Sequence, residues 1–244
     1  MENLKEALSY LVELGEEGAK PEVVEINGKT YCTKNLARYD KEEMAEPLKV
    51  ASLTALVDYI TNEQREFKGN MIVQIVDPER VRLISGLTKE RTRECLFEAS
   101  TNQNGFRFDN YYDQEDFIIN MQAGFVKTED LSILLQVAGN VENNTTANYG
   151  DDGISQKTTI KSGIASKVDV KVPNPVLLAP YRTFLEVPQP ISEFVFRIGE
   201  GRGGSPAFKL VGADGGLWKY EAVESIKEYL KDRLQDIPDI TIIG

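Results

Sequence analysis

The sequence predicts an α+β protein: an antiparallel β-meander with an αα-hairpin, followed by a β-rich part closed by an amphipathic helix. Two observations carry this. Apolar residues recur at helical spacing in several segments, and apolar runs bounded by turn residues lie between those segments. We divide the chain into an N-terminal α+β part at 1–140, a polar arm or loop at 141–166, and a C-terminal β-rich part at 167–244.

The first segment predicts a helix followed by a hairpin. Leucines recur at helical spacing from residue 4 onward, and Gly15 and Gly18 are expected to end the helix. Asn27-Gly28 then separates two short runs rich in β-branched and aromatic residues. Such a dipeptide is typical of a two-residue hairpin turn, because both turn positions must accept positive φ.

The meander comes next. Ser52 is the expected N-cap of a second helix, which should continue until Lys68-Gly69. After it the apolar period becomes strand-like. The predicted antiparallel strands are 71–76, 81–84 and 91–99, of which the last could also be a helix.

Two short helices and a second set of strands complete the fold. Asp113 and Thr128 are the expected N-caps of the helices, which would form an αα-hairpin over one face of a sheet. Prolines that suit strand ends and sheet edges separate the later strands. Those strands are expected at 167–172, 176–184, 193–198 and 207–211, and the closing helix at 218–234.

The composition excludes several classes of enzyme. The chain of 244 residues contains no histidine, so it cannot supply a Ser-His-Asp triad, a Cys-His pair or a histidine-ligated zinc site. Cys32 and Cys95 are too far apart for a zinc knuckle or a disulfide framework, and we expect both to be buried. A non-catalytic protein without a cofactor is favoured. An enzyme that uses carboxylates, Lys, Tyr, Cys or a metal held by oxygen ligands remains an alternative.

The hydropathy pattern predicts a cytoplasmic protein with no membrane partner. No apolar run approaches the roughly 20 residues that span a bilayer. The chain begins Met-Glu-Asn-Leu-Lys-Glu, with acids where a secretory signal would carry a basic region.

Three motifs could bind an ion. The glycine-rich 199–205 segment resembles a phosphate cradle, but a proline and a strand follow it where a helix would be needed, so we predict a hairpin loop. Acids at 109–116 fail the spacing of a calcium loop and are expected to cap a helix. Asp151 and Asp152 could hold a metal or form a solvated turn.

The polar arm suggests contact with another molecule. Its Asn, Thr, Ser and Gly residues favour a mobile loop or an extended strand completed by another chain. Four bases would face one side of an extended arm and would suit an acidic surface such as the N-terminal half of another copy, since residues 1–122 carry 23 acids and 15 bases. Nucleic acid is an unlikely partner, because only Tyr149 could stack on bases. The four bases are Lys157, Lys161, Lys167 and Lys171.

The C-terminal half also carries a family resemblance. Among its runs are Gly150-Asp151-Asp152-Gly153-Ile154-Ser155-Gln156, Leu178-Ala179-Pro180-Tyr181-Arg182-Thr183-Phe184 and Ala213-Asp214-Gly215-Gly216-Leu217-Trp218. These runs resemble the YfdQ-like family of phage and prophage proteins, over roughly residues 106–234. The resemblance implies a bacteriophage-derived cytoplasmic protein of a bacterial host. It implies no defined reaction and no catalytic residue.

Our leading hypothesis is therefore a non-catalytic phage protein that self-assembles into a homo-oligomer through the polar arm and its edge strands. One alternative is a host-directed inhibitor whose acidic half imitates nucleic acid or occupies a basic host protein. Another is a metal-dependent hydrolase or nucleotide-binding protein that uses Asp151 and Asp152. The predicted interaction residues are Asp151, Asp152, Gln156, Lys157, Lys161, Lys171 and Arg182.

Overall fold

The structure, a computed structural model, describes residues 2–34, 44–101, 103, 105–141, 156–162 and 166–244. It has the predicted α+β class. Contacts divide the chain into two compact units, Met1–Met44 and Ala45–Gly244. This division differs from the one drawn on the sequence, because strands that follow residue 172 share a core with helices that precede residue 141.

The described residues of unit 1 form α1 (Glu2–Ala19) and a hairpin of β1 (Val23–Ile26) and β2 (Lys29–Cys32). Asn27 and Gly28 have φ of 54° and 71°, so the predicted turn is confirmed. The predicted end of the helix is wrong, because α1 continues through Gly15 and Gly18 and neither glycine has a positive φ. Cys32 is exposed and not buried as predicted, since one helix and one short hairpin enclose no core.

Unit 2 contains two larger sheets and a two-stranded ribbon, and the first of the larger sheets has five strands in the order β13-β4-β5-β6-β3. The antiparallel meander β4-β5-β6 is confirmed, including the strand assignment of its third member. The two edge strands run parallel to their neighbours and were not predicted. The strands are β3 (Leu48–Val50), β4 (Met71–Asp77), β5 (Arg80–Ser85), β6 (Cys95–Ser100) and β13 (Ile240–Ile243).

Two helices, α2 (Leu53–Asn62) and α5 (Leu217–Arg233), pack on one face of this sheet. Alternate residues of β4 are fully buried beneath them, as the strand period of two requires. The Ser52 cap of α2 is confirmed, since its Oγ accepts the Ala55 N–H at 3.3 Å. The helix ends at Asn62, before the predicted Lys68-Gly69, and a single 3₁₀ turn follows. Cys95 is half-buried on β6, partly as expected.

The second sheet has four antiparallel strands in the order β10-β11-β12-β7, covered by the αα-hairpin of α3 (Gln114–Gly124) and α4 (Glu129–Asn140). Both predicted caps are confirmed: Asp113 Oδ1 accepts the Asp116 N–H at 2.8 Å, and Thr128 Oγ1 accepts the Leu131 N–H at 3.1 Å. The strands of this second sheet are β7 (Tyr112–Asp113), β10 (Val176–Leu178), β11 (Ser192–Glu200) and β12 (Pro206–Gly212).

The strand predicted at 176–184 is shorter, because the chain leaves the sheet after Leu178. The Ala179 carbonyl accepts the Val126 N–H at 2.9 Å, and the Tyr181 N–H donates to the Gly124 carbonyl at 2.8 Å. The loop at 179–191, which we call the proline loop, then buries Phe184 and Val187 in the core of the five-stranded sheet. This loop therefore ties the two sheets of unit 2 together.

Between α4 and β10 the chain forms a two-stranded antiparallel ribbon of β8 (Gln156–Ser162) and β9 (Ser166–Val172). We call it the lysine ribbon. It includes the part of the polar arm that the structure describes.

Candidate functional site

The predicted interaction residues fall into three places. Asp151 and Asp152 lie outside the described residues, so their proposed metal or partner contacts stay predictions. Gln156, Lys157, Lys161 and Lys171 lie on the lysine ribbon. Arg182 lies in the proline loop, between β10 and β11.

The register of the lysine ribbon places its four lysine positions on one face. Position 157 pairs with 171 and position 161 pairs with 167, with Thr159 opposite Asp169 between them. The two strands pair with each other, so this part of the arm is not left as a single strand for another chain to complete.

Arg182 is the centre of a polar cluster, which we call the Arg182 cluster. Its guanidinium lies 4.0 Å from the ring centroid of Trp218 and 5.8 Å from that of Phe194, and it donates to Ser192 Oγ. The backbone N–H groups of Arg182 and of the next residue donate to Gln189 Oε1, at 2.9 and 3.2 Å. The cluster thus joins the proline loop, β11 and the first turn of α5.

Asp214 supplies a charge opposite to that of Arg182. Burial lowers the pKa of Arg182 to about 10, although the carboxylates of Asp214 and Glu221 act in the other direction. Burial alone would raise the pKa of Asp214. Hydrogen bonding by Ser192 and the Gly216 N–H, together with the Arg182 charge, outweighs burial and lowers it below 3.8. At neutral pH both groups are therefore charged, and the cluster is a stacked, hydrogen-bonded link between chain segments with the Asp214 charge nearby.

We expect Asp214→Asn to destabilise the protein by about 1 kcal/mol at pH 7, because a hydrogen bond to a charged group is replaced by a neutral one. The pKa of Asp214 is lower in the folded than in the unfolded chain, so its contribution is present above the unfolded value of 3.8 and is lost as pH falls through the folded value. Urea unfolding at pH 7, 4 and 3 tests this: the gap between the wild type and the variant should shrink with acid. A gap of constant size would contradict the assignment.

Among the described residues, three of the four edges of the two larger sheets are protected against strand addition. On β10, the outward N–H of Leu177 donates to Asp130 Oδ2 of α4 at 2.7 Å. The opposite edge, β7, contains only two residues. The edge strand β3 contains three residues and carries Lys49 at its centre. Short strands, edge lysines and covering groups all discourage pairing with another chain.

The fourth edge, β13, is open. The Met71 N–H donates to the Asp239 carbonyl at 2.9 Å, and the parallel ladder then turns the N–H and C=O groups of Ile240 and Ile242 away from β4. Thr241 is exposed, and no residue of the Ile-Thr-Ile-Ile strand is charged. The sequence analysis missed this strand, although a β-branched run that follows Pro238-Asp239 and precedes Gly244 is a recognised strand signal.

The remaining motif has no sign of an anion cradle. The prediction of a hairpin loop at 199–205 is confirmed, since the Gly201 N–H donates to the Ser205 carbonyl at 2.7 Å between β11 and β12. Gly203 and Gly204 have φ of 72° and 79°, which explains why glycine is used there. Among the described residues, no three acidic or cysteine side chains are placed to hold a metal ion.

Comparisons with known proteins add no assignment. Neither a scan against protein-family models nor searches of curated proteins and of solved structures found a match. Within the described ranges, no helix is long and apolar enough to cross a membrane.

Proposed function

We propose that the protein acts by contact, as a phage-derived cytoplasmic protein that self-assembles, and that β13 pairs with β13 of a second copy. The observation that carries the proposal is the open β13 edge, beside the three other edges of the two larger sheets, which are protected. The resemblance of residues 106–234 to phage proteins supports the origin.

A two-fold axis through Thr241 makes the edge complementary to itself. Two antiparallel copies would place Ile240 opposite Ile242 of the second copy, so that the outward N–H and C=O groups of both residues form hydrogen bonds across the axis. The product is one continuous sheet of ten strands, twice the five of each chain. The uncharged Ile-Thr-Ile-Ile sequence lets the two edges approach without charge repulsion.

The lysine ribbon supports assembly by a second route. Its four lysine positions share a face, and the chain as a whole has a net charge of -11. Another copy of the chain is thus a suitable acidic partner, and such a contact would weaken as salt screens it.

We expect Thr241→Lys and Thr241→Glu each to weaken self-association about tenfold or more, since like charges would face each other across the axis. An equimolar mixture of the two variants should associate again, because Lys then faces Glu. Sedimentation velocity across a concentration series measures both effects.

Thr61→Lys is the matched control. Thr61 is exposed on α2, away from the edge, so the same change of charge should leave association unchanged. A wild-type chain that stays monomeric across the series, or a mixture that stays as weak as its components, would overturn pairing through β13.

A further inference from the structure

Helix α1 carries an apolar stripe that a chain on its own leaves in contact with solvent. Leu4, Leu8, Leu11 and Leu14 recur at helical spacing and are 46–67% exposed. Most of the stability of a helix in a protein comes from the packing of its apolar face. The stripe therefore calls for an apolar partner surface.

Charges beside the stripe indicate what that partner is. At 100° per residue, Lys5 and Glu16 lie about 20° apart on the same flank of the stripe, separated by roughly three turns. In an antiparallel pair of identical helices, a flank of one helix faces the same flank of the other, and the N-terminal end of each lies beside the C-terminal end of its partner. Lys5 of each copy then faces Glu16 of the other. In a parallel pair, Glu16 and Glu17 would instead lie at the same height as the same acids of the second helix.

We propose that α1 pairs antiparallel with α1 of a second copy, along the leucine stripe and about an axis between Tyr10 and Leu11. The Leu stripes would exclude water, and the two Lys5–Glu16 pairs would set the orientation. The pairing uses no residue of β13, so it does not depend on the proposed sheet edge.

Disulfide cross-linking tests the orientation. In a full-length background of Cys32→Ser, Cys95→Ser and Thr241→Lys, Leu11→Cys is compared with Leu4→Cys under mild oxidation. The antiparallel axis brings the two copies of position 11 together and holds the two copies of position 4 about 20 Å apart along the helix axis. A disulfide requires Cα atoms within about 7 Å. We expect Leu11→Cys to form cross-linked dimer and Leu4→Cys to form at least tenfold less.

Charge exchange tests the ion pairs. Lys5→Glu should weaken α1 pairing roughly tenfold, and Lys5→Glu with Glu16→Lys should restore it, as double replacement reinstates both pairs. Glu13→Lys, on the face opposite the stripe, is the control for the change of net charge and should have little effect. Equal cross-linking at positions 4 and 11, absence of cross-linking at both, or failure of the double variant to recover would each overturn the proposal. Because every variant carries the same Thr241→Lys background, which weakens β13 pairing equally in all of them, differences among them report on α1 and not on the sheet edge.

Discussion

Phe117→Ala should lower the free energy of unfolding by about 3–5 kcal/mol, the usual cost of removing a buried aromatic ring. Phe117 is fully buried on α3, where its ring stacks on Phe208 at a centroid distance of 5.2 Å and contacts Phe196 at 5.9 Å and Phe106 at 6.1 Å. These neighbours come from the strands and from the segment before β7, so they cannot all move in to fill the space. Urea unfolding followed by circular dichroism measures the loss.

Ile119→Ala is the control on the same helix. Ile119 is 53% exposed, and its truncation should change the unfolding free energy by no more than about 0.5 kcal/mol. If the two variants lost equal stability, the rings around Phe117 would not be the centre of the core between the αα-hairpin and the four-stranded sheet. The packing of the αα-hairpin on that sheet would then need another explanation.

The features that the sequence predicted well are those encoded by near neighbours. The Ser52, Asp113 and Thr128 caps were predictable because a side-chain oxygen and the N–H it accepts lie three residues apart. The Asn27-Gly28 turn was predictable for the same reason, since its signal is two residues that tolerate positive φ. The meander followed from turns between adjacent strands.

The missed pairings depend on distant partners. β13 pairs with β4, so that Ile240 lies beside Met71 in a parallel register that no turn specifies. Leu178 ends its strand because the following residues bond to Gly124 and Val126, which are far away in the sequence. Local propensity carries no information about such pairings. The strand order of the sheets and the open β13 edge could therefore not be predicted from it.

The same contrast between local and long-range information applies to the candidate site. The expectation that the arm lysines share one side needed only the period of a strand, and the ribbon register agrees with it. Arg182 was named as an interaction residue, yet its described contacts are with Trp218, Ser192 and Gln189 of its own chain. The sequence could not show this, because stacking on Trp218 requires the fold to bring the proline loop to the start of α5.

That reading of Arg182 makes a strong prediction: Arg182→Ala should destabilise unit 2 by about 2–4 kcal/mol. The change removes the stacking on Trp218 and the hydrogen bond to Ser192, and it leaves the Asp214 carboxylate without its opposite charge. Arg182→Lys keeps the charge but not the planar guanidinium, so it should recover only part of the loss. Arg197→Ala, on β11, is the control, because among the described residues the guanidinium of Arg197 donates to the neighbouring Phe196 carbonyl at 3.2 Å.

A double-mutant cycle with Trp218→Ala separates this internal role from a role in binding. If Arg182 stabilises the fold through Trp218, the sum of the losses of stability in the two single variants should exceed the loss in the double variant by about 0.5–2 kcal/mol. The reason is that each substitution alone already breaks the shared contact. If Arg182 acts instead on a partner, Arg182→Ala should weaken self-association at unchanged stability, and the double variant should lose only as much stability as Trp218→Ala alone. Unfolding and sedimentation are measured on the wild type, the two single variants and the double variant. Together they decide between the two roles, because only the internal role couples Arg182 of the proline loop to Trp218 of α5.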